Sequence, residues 1–263
     1  MATNAIAIPA SSGLSLGYYA NIFRKEVQYE FVKMLRTKAF SLSVIGFPVM
    51  FYLLVGTSNR HNMFARYVMP SYSCMGVVSA CLFGIGMGIA MERAYGWLEL
   101  KQASPMPRLA YLGAKVVTCA AFALIIVAAL LTLGITLGGV SLTAVEALKL
   151  AGVILAGSIP FTAMGLLVAL LVPPNAGPGV INLIYLPMSF ASGFWMPVTY
   201  LPHWLKVITP ALPTYHLAQI ALHIFGYAEP GCRLLPHWEA LAGFTLLMVG
   251  AAWIIFTRSE AKA

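Results

Sequence analysis

VVTCAAFALIIVAALLTLGITLGG, residues 116–139, runs for 24 positions without a charged side chain. As a helix at ~1.5 Å per residue it is about 36 Å long, enough to cross a ~30 Å hydrocarbon core. It has no polar face to turn towards water. Five further stretches read the same way: Ala39–Ser58, Val68–Met91, Leu150–Val172, Val180–Pro197 and Leu241–Thr257. None of the six contains Asp, Glu, Lys or Arg. The whole chain agrees with them. Of its 263 residues 60% are hydrophobic and 9% charged, and its mean hydropathy is +0.84. So few charges cannot cover so much apolar surface in water, whereas in a bilayer the solvent is itself apolar. The fold class is therefore all-α integral membrane, with six transmembrane helices.

The flanks set the orientation. The net charge is +8, and every one of the 8 acidic residues is Glu. With six spans and an internal N-terminus, 11 of the 16 Lys and Arg fall in cytoplasmic segments. That bias places both termini in the cytoplasm, because basic residues are retained on that side. It also explains the charge by an anionic leaflet, without a nucleic-acid partner. Residues 1–20 have no basic start before an apolar run, so they read as a flexible N-terminus and not as a secretory signal. Residues 21–38 are amphipathic. Phe23, Val27, Phe31, Met34 and Leu35 recur at three- and four-residue intervals, with Arg24, Lys25, Gln28, Lys33 and Arg36 between them. This is an interface helix that lies along the cytoplasmic membrane surface, either as an anchor or as a docking surface. A six-helix domain then fills residues 39–257, and residues 258–263 form a cytoplasmic tail.

Leu205–Phe225 is apolar enough for a seventh span, but it carries Lys206, Pro210, Pro213 and His216. Broken backbone at membrane depth must be covered by protein or line a cavity. The segment 192–225 therefore reads as a re-entrant helical hairpin on the outer side, between spans five and six.

Several chemistries find no support. There is no phosphate-loop motif, and no cytoplasmic segment is long enough for a nucleotide-binding domain. The spans lack the acidic residues of a proton relay, which weakens an ion-coupled secondary transporter. An intramembrane serine protease would need a pair such as Ser192 and His216, yet Ser and Gly are common where membrane helices pack. Cys74, Cys81, Cys119 and Cys232 show no metal spacing. His216 and His223 could share a helix face, but no third ligand follows, so no metal centre is expected.

Two segments carry more than composition. The first is the loop 92–115, which opens Glu92-Arg-Ala-Tyr-Gly-Trp-Leu-Glu-Leu-Lys and ends at Lys115. The second runs Ser192-Gly-Phe-Trp-Met-Pro, through Leu201-Pro, Trp204-Leu and Pro210, to Pro213-Thr-Tyr215. Together they resemble the permeases of the ABC-2 type transporter family, over nearly the whole chain. The resemblance implies that the first segment is a coupling loop that docks into a separate ATPase, through Glu92, Arg93, Tyr95, Gly96, Trp97, Leu98 and Glu99. It implies that the second forms an outer gate from Ser192, Gly193, Phe194, Pro197, Pro202, Trp204, Pro210, Pro213 and Tyr215. It further implies a bacterial cytoplasmic (inner) membrane exporter of two ATPase copies and two permease chains, a homodimer of identical chains or a paired heterodimer, surrounded by lipid. ATP and magnesium would bind the partner ATPase, leaving this chain without a cofactor or enzymatic activity. The region 26–36 is less rich in Arg and Tyr than in the polysaccharide-exporting branch, which points to a drug-like or lipid-like cargo. Independently of the resemblance, exposed aromatics in a charged loop suit burial against a soluble partner.

Overall fold

The computed structural model describes residues 16–58, 63–103, 106–173 and 176–260. The proposed tail residues 261–263 and the first fifteen residues lie outside that set. Among the described residues all the regular secondary structure is helical, without strands. The helices are α1 (Leu16–Arg36), α2 (Lys38–Phe51), α3 (Met63–Cys81), α4 (Gly88–Ala94), α5 (Trp97–Ala103), α6 (Arg108–Thr136), α7 (Ala144–Leu171), α8 (Gly177–Ala191), α9 (His203–Ile208), α10 (Pro213–Ile224) and α11 (Leu234–Glu260).

Among the described residues, five helical runs are long and apolar enough to cross a membrane: Lys38–Gly56, Met63–Ala94, Leu109–Thr136, Ala144–Leu171 and Leu234–Ile255. They cover five of the six stretches read from sequence. The remaining stretch, Val180–Pro197, falls on α8, which has 15 residues. At ~1.5 Å per residue that is about 22 Å, short of a hydrocarbon core. Some runs begin earlier than hydropathy indicates, because a helix can continue into the interface where its end is satisfied. Thr143 and Glu146 form a reciprocal capping box at the start of α7. Arg66 of α3 pairs with Glu146 at 2.7 Å, which ties the starts of α3 and α7 together.

The run Met63–Ala94 is the centre of the bundle. In its most apolar stretch 78% of residues are buried, against 11% in the run Leu234–Ile255 of α11. It packs against α6, α7, α8 and α10. Its middle, Leu82–Met87, widens into a π-type turn, as does Tyr52–Gly56 at the end of α2. Such turns insert into otherwise regular helices, often at functional positions. Lipid tails are as apolar as the side chains, so burial from water cannot drive these helices together, and close packing must. Gly165 of α7 shows how close. A Cβ there would lie 2.9 Å from the main-chain oxygen of Cys81.

The helix α1 begins at Leu16, within the segment read as flexible, and stops at Thr37. It does not lie alone. Phe23 faces Gly113, Phe31 meets Phe122 at 5.3 Å between ring centres, and Met34 faces Gly84. The order of these contacts means α1 runs alongside the first half of α6 in the same direction. Leu35, read from sequence as part of the apolar face, is 48% exposed. The face turned inward carries Glu26 and Glu30 instead, alongside Phe23, Val27, Phe31 and Met34.

Replacing Gly165 by Ala should cost about 1–3 kcal/mol, because the obstructing atom is backbone and cannot rotate away. Gly179, whose added Cβ meets nothing within 4 Å, is the control. Thermal unfolding in detergent should show a lower midpoint for Gly165→Ala and none for Gly179→Ala. Equal midpoints would refute the close approach of α3 and α7.

Candidate functional site

Three glutamates and three lysines converge where α1, α4, α5 and α6 meet. Glu26, Glu30 and Lys33 lie on one side of α1, at positions 26, 30 and 33 that share a helix face. Glu92 stands near the end of α4, Lys101 on α5 and Lys115 on α6. Lys115 contacts Glu30 at 3.2 Å and Glu92 at 3.1 Å. Lys33 contacts Glu30 at 3.0 Å and also bonds Glu92. Lys101 reaches Glu26 at 2.7 Å, Glu30 at 3.1 Å and Glu92 at 3.8 Å. The Tyr111 hydroxyl donates to the other oxygen of Glu92, and the ammonium groups of Lys101 and Lys115 lie 4.7 and 5.0 Å from its ring centre. Glu30, Glu92 and Lys115 are almost wholly buried, at 1%, 2% and 2% exposure.

The six formal charges sum to zero, which is the condition for burying them. An unpaired buried ion costs several kcal/mol, and only neighbouring opposite charges offset that. Burial alone would lower the ammonium pKa of Lys33, but Glu30 and Glu92 more than reverse it, and the pKa stands above 10.5. Lys101 is raised too, burial again being outweighed by Glu26, Glu92 and Glu30. A raised lysine pKa adds stability that is complete below the unfolded value and fades as pH climbs through the folded value.

The loop beyond Glu92 is built to project. Helix α4 ends in a turn in which the N–H of Tyr95 bonds the Met91 carbonyl and the N–H of Gly96 that of Arg93. Gly96 has φ +71°, a conformation that favours glycine at a helix end. Helix α5 then starts at Trp97. Tyr95 is 63% exposed, Trp97 48% and Leu100 71%, and the Tyr95 and Trp97 rings lie against each other at 5.6 Å. Leu98 packs inward on the core. Arg93 donates to the Val172 carbonyl at 2.8 Å, at the end of α7. The side chain of Glu99 lies outside the described set, as do residues 104–105. Glu92 differs from the expectation that it faces a partner. It is turned inside the protein, because α1 and α6 bring it two lysines and a tyrosine.

At the far end of the bundle the chain folds into the hairpin. Tyr67 and Glu92, 25 positions apart on one helical run, are separated by roughly 37 Å at ~1.5 Å per residue. The Tyr67 hydroxyl donates to the Gly193 carbonyl at 2.6 Å. Gly193 has φ +84°, and a Cβ there would come within 2.9 Å of Val198. Pro197 and Pro202 each precede a short helical segment, α9 carries Trp204, and Pro210 sits in the turn Thr209–Ala211. Pro213 starts α10 and is buried, as are Phe194 and Tyr215. The Thr209 hydroxyl donates to the Ala191 carbonyl at 2.8 Å, closing the hairpin on the end of α8.

Ser192 and His216 are not brought together. The Ser192 hydroxyl bonds the Met188 carbonyl and Thr214. The two ring nitrogens of His216 engage Pro210 at 3.0 Å and His237 at 2.8 Å. Nucleophile and base therefore have other partners. His216 is paired with His237, not with His223, and no group of three metal-ligating side chains occurs among the described residues.

Sequence reading missed Glu26, Glu30, Lys33, Lys101, Tyr111 and Lys115 as a site. A signal existed in Glu26, Glu30 and Lys33, whose spacing puts charge on the same helix face as Phe23, Val27 and Met34. Charge on an apolar face calls for a buried counter-charge.

Lys115→Met should destabilise the protein by about 3–5 kcal/mol by leaving a carboxylate uncompensated. Adding Glu92→Gln should recover part of that loss, since the cluster is again neutral. A double-mutant cycle that sums additively would disprove the coupling. From Lys33 and Lys101, stability should stay flat through neutral pH and fall only above 10.5. A loss between pH 7 and 9 that vanishes in Lys33→Met would contradict this.

A sequence model of the family described as ABC-2 type transporter matches residues 23–225. The protein named "Putative transport permease YvfS", from Bacillus subtilis (strain 168), is 26% identical over 216 residues. The match covers 80% of this chain and 88% of that protein. The matched region takes in the ion cluster, the projecting loop and the hairpin down to Phe225.

Proposed function

We propose that this chain, which belongs to the ABC-2 type transporter family, is the membrane subunit of an ATP-driven exporter whose projecting α4–α5 loop docks on the ATPase. It is a multi-pass membrane protein of a transport permease family, and that family implies association with an ABC ATPase. The observation that carries the docking role is the pairing of two features. Tyr95, Trp97 and Leu100 are exposed, and the helix bearing two of them is fastened through Lys101 to a buried cluster on α1 and α4. A surface that only had to be soluble would carry neither.

ATP and magnesium bind to two partner ATPase subunits, and hydrolysis occurs there. Two permease chains, identical copies in the simplest assembly, complete the pathway. The chain lies in the bacterial inner membrane with both termini in the cytoplasm. Helix α8 and the hairpin then complete a sixth crossing at the outer surface. When the ATPases close, they push α5. Lys101 passes the push to Glu26, Glu30 and Glu92 as one rigid unit, because separating any pair exposes a buried charge. The run Met63–Ala94 carries the displacement to Tyr67 and so to Gly193. The two ends are thus biased together, as a two-state switch requires. Uncharged spans favour an amphipathic drug-like or lipid-like cargo over a small ion.

The test is capture from native membranes with a tagged chain. Wild type should bring down a soluble ATPase. Tyr95→Ser with Trp97→Asp should lose it while keeping the wild-type unfolding midpoint, since both side chains are exposed. Full ATPase recovery in that variant would sink the docking assignment. Glu92→Arg is a poor probe of docking, because it disrupts a buried cluster and acts first on folding.

A further inference from the structure

The hairpin leaves two clefts that share the segment 203–210 as a wall. One is apolar, about 710 Å³, and is lined by Pro187, Phe190, Trp195, Trp204, Leu205 and Ile208 among others. The other is about 390 Å³ and is bordered by Thr199, Lys206, Thr209, Tyr215 and Glu229. Neighbouring positions serve both. Leu205 and Ile208 face the first cleft, Lys206 and Thr209 the second.

The charged groups of the second cleft are held in place. The N–H of Glu229 donates to Oε1 of Gln219 at 2.9 Å, and Gln219 is buried. The Tyr215 hydroxyl donates to Oε2 of Glu229 at 2.9 Å. Among the described residues no hydrogen bond reaches Oε1 of Glu229. Lys206 donates to the Thr199 carbonyl at 2.6 Å, which leaves two of its three N–H donors for a ligand. No ion pair joins Lys206 to Glu229 among the described residues. The cleft therefore presents one charge of each sign, and they do not cancel each other.

A ligand of a single charge would meet one attractive and one repulsive group here. A zwitterion meets two attractive ones. A primary ammonium can donate to the open oxygen of Glu229, which a quaternary ammonium cannot, and a phosphate can accept from Lys206. The volume suits a small headgroup, and the apolar cleft on the other side of the same segment suits a hydrocarbon chain. We propose that the hairpin binds an aminophospholipid, with its amine on Glu229, its phosphate on Lys206 and an acyl chain along Trp195, Trp204 and Leu205. This deepens the permease reading and rests on it for the hairpin's place at the outer surface.

Native mass spectrometry of the purified full-length chain, with equal amounts of phosphatidylethanolamine, phosphatidylcholine and phosphatidylglycerol, tests it. Phosphatidylethanolamine should be retained about tenfold over the other two, the worth of one charge-assisted hydrogen bond. Glu229→Gln, which keeps an acceptor for Tyr215, should erase that preference. Lys206→Met should weaken binding of all three. Equal retention of the three lipids, or a preference that survives Glu229→Gln, overturns the proposal. Displacement of the lipid by an equal concentration of free phosphoethanolamine overturns the lipid assignment and gives the cleft to a soluble aminophosphate. Capture of the ATPase by the same variants keeps the two readings apart. Lost lipid preference with intact capture refutes this proposal alone, and failed capture by wild type refutes the permease reading.

Discussion

The three carboxylates and three ammonium groups between α1 and the start of α6 can stay charged only in one another's company. That constraint sets much of the remaining architecture. Glu30 and Glu92 come from helices 62 positions apart in sequence, yet share Lys115 and Lys33. The helix α1 is therefore held against α6, and α5 is held to both through Lys101. Beyond this anchored unit, the aromatics of the α4–α5 turn, Tyr95 and Trp97, project outward.

The apolar runs obey a different rule. Away from water, helices gain little from hiding apolar surface, so association depends on contact distance. Gly165 against Cys81, Gly76 against Ile126 and Gly157 against Leu217 let α3, α6, α7 and α10 approach closely. The run Met63–Ala94 is enclosed by these contacts and joins the two ends of the protein.

The hairpin solves a backbone problem. Where α8 stops after 15 residues, its last carbonyls would be unpaired in an apolar surrounding. Thr209, Thr214 and Ser192 supply hydroxyls to Met188 and Ala191. Tyr67 does the same for Gly193. Pro210, in the turn between α9 and α10, also borders the smaller cleft beside α9.

Hydropathy alone determined that the chain spans a membrane and where five of its helical runs lie, while Lys206, Pro210, Pro213 and His216 marked where an otherwise apolar stretch is broken. The reason is that an apolar solvent allows uncharged helices and little else, and that demand is local in sequence. The motifs at 92–115 and 192–215 likewise identified the family without coordinates. Tertiary structure alone decided that Glu92 faces inward, that Leu35 faces outward, and that Ser192 and His216 bond elsewhere. It also decided that α8 ends short of a full crossing. Each of those depends on what a distant helix places alongside. A charged residue reads the same in sequence whether its counter-charge comes from a partner protein or from another helix of its own chain.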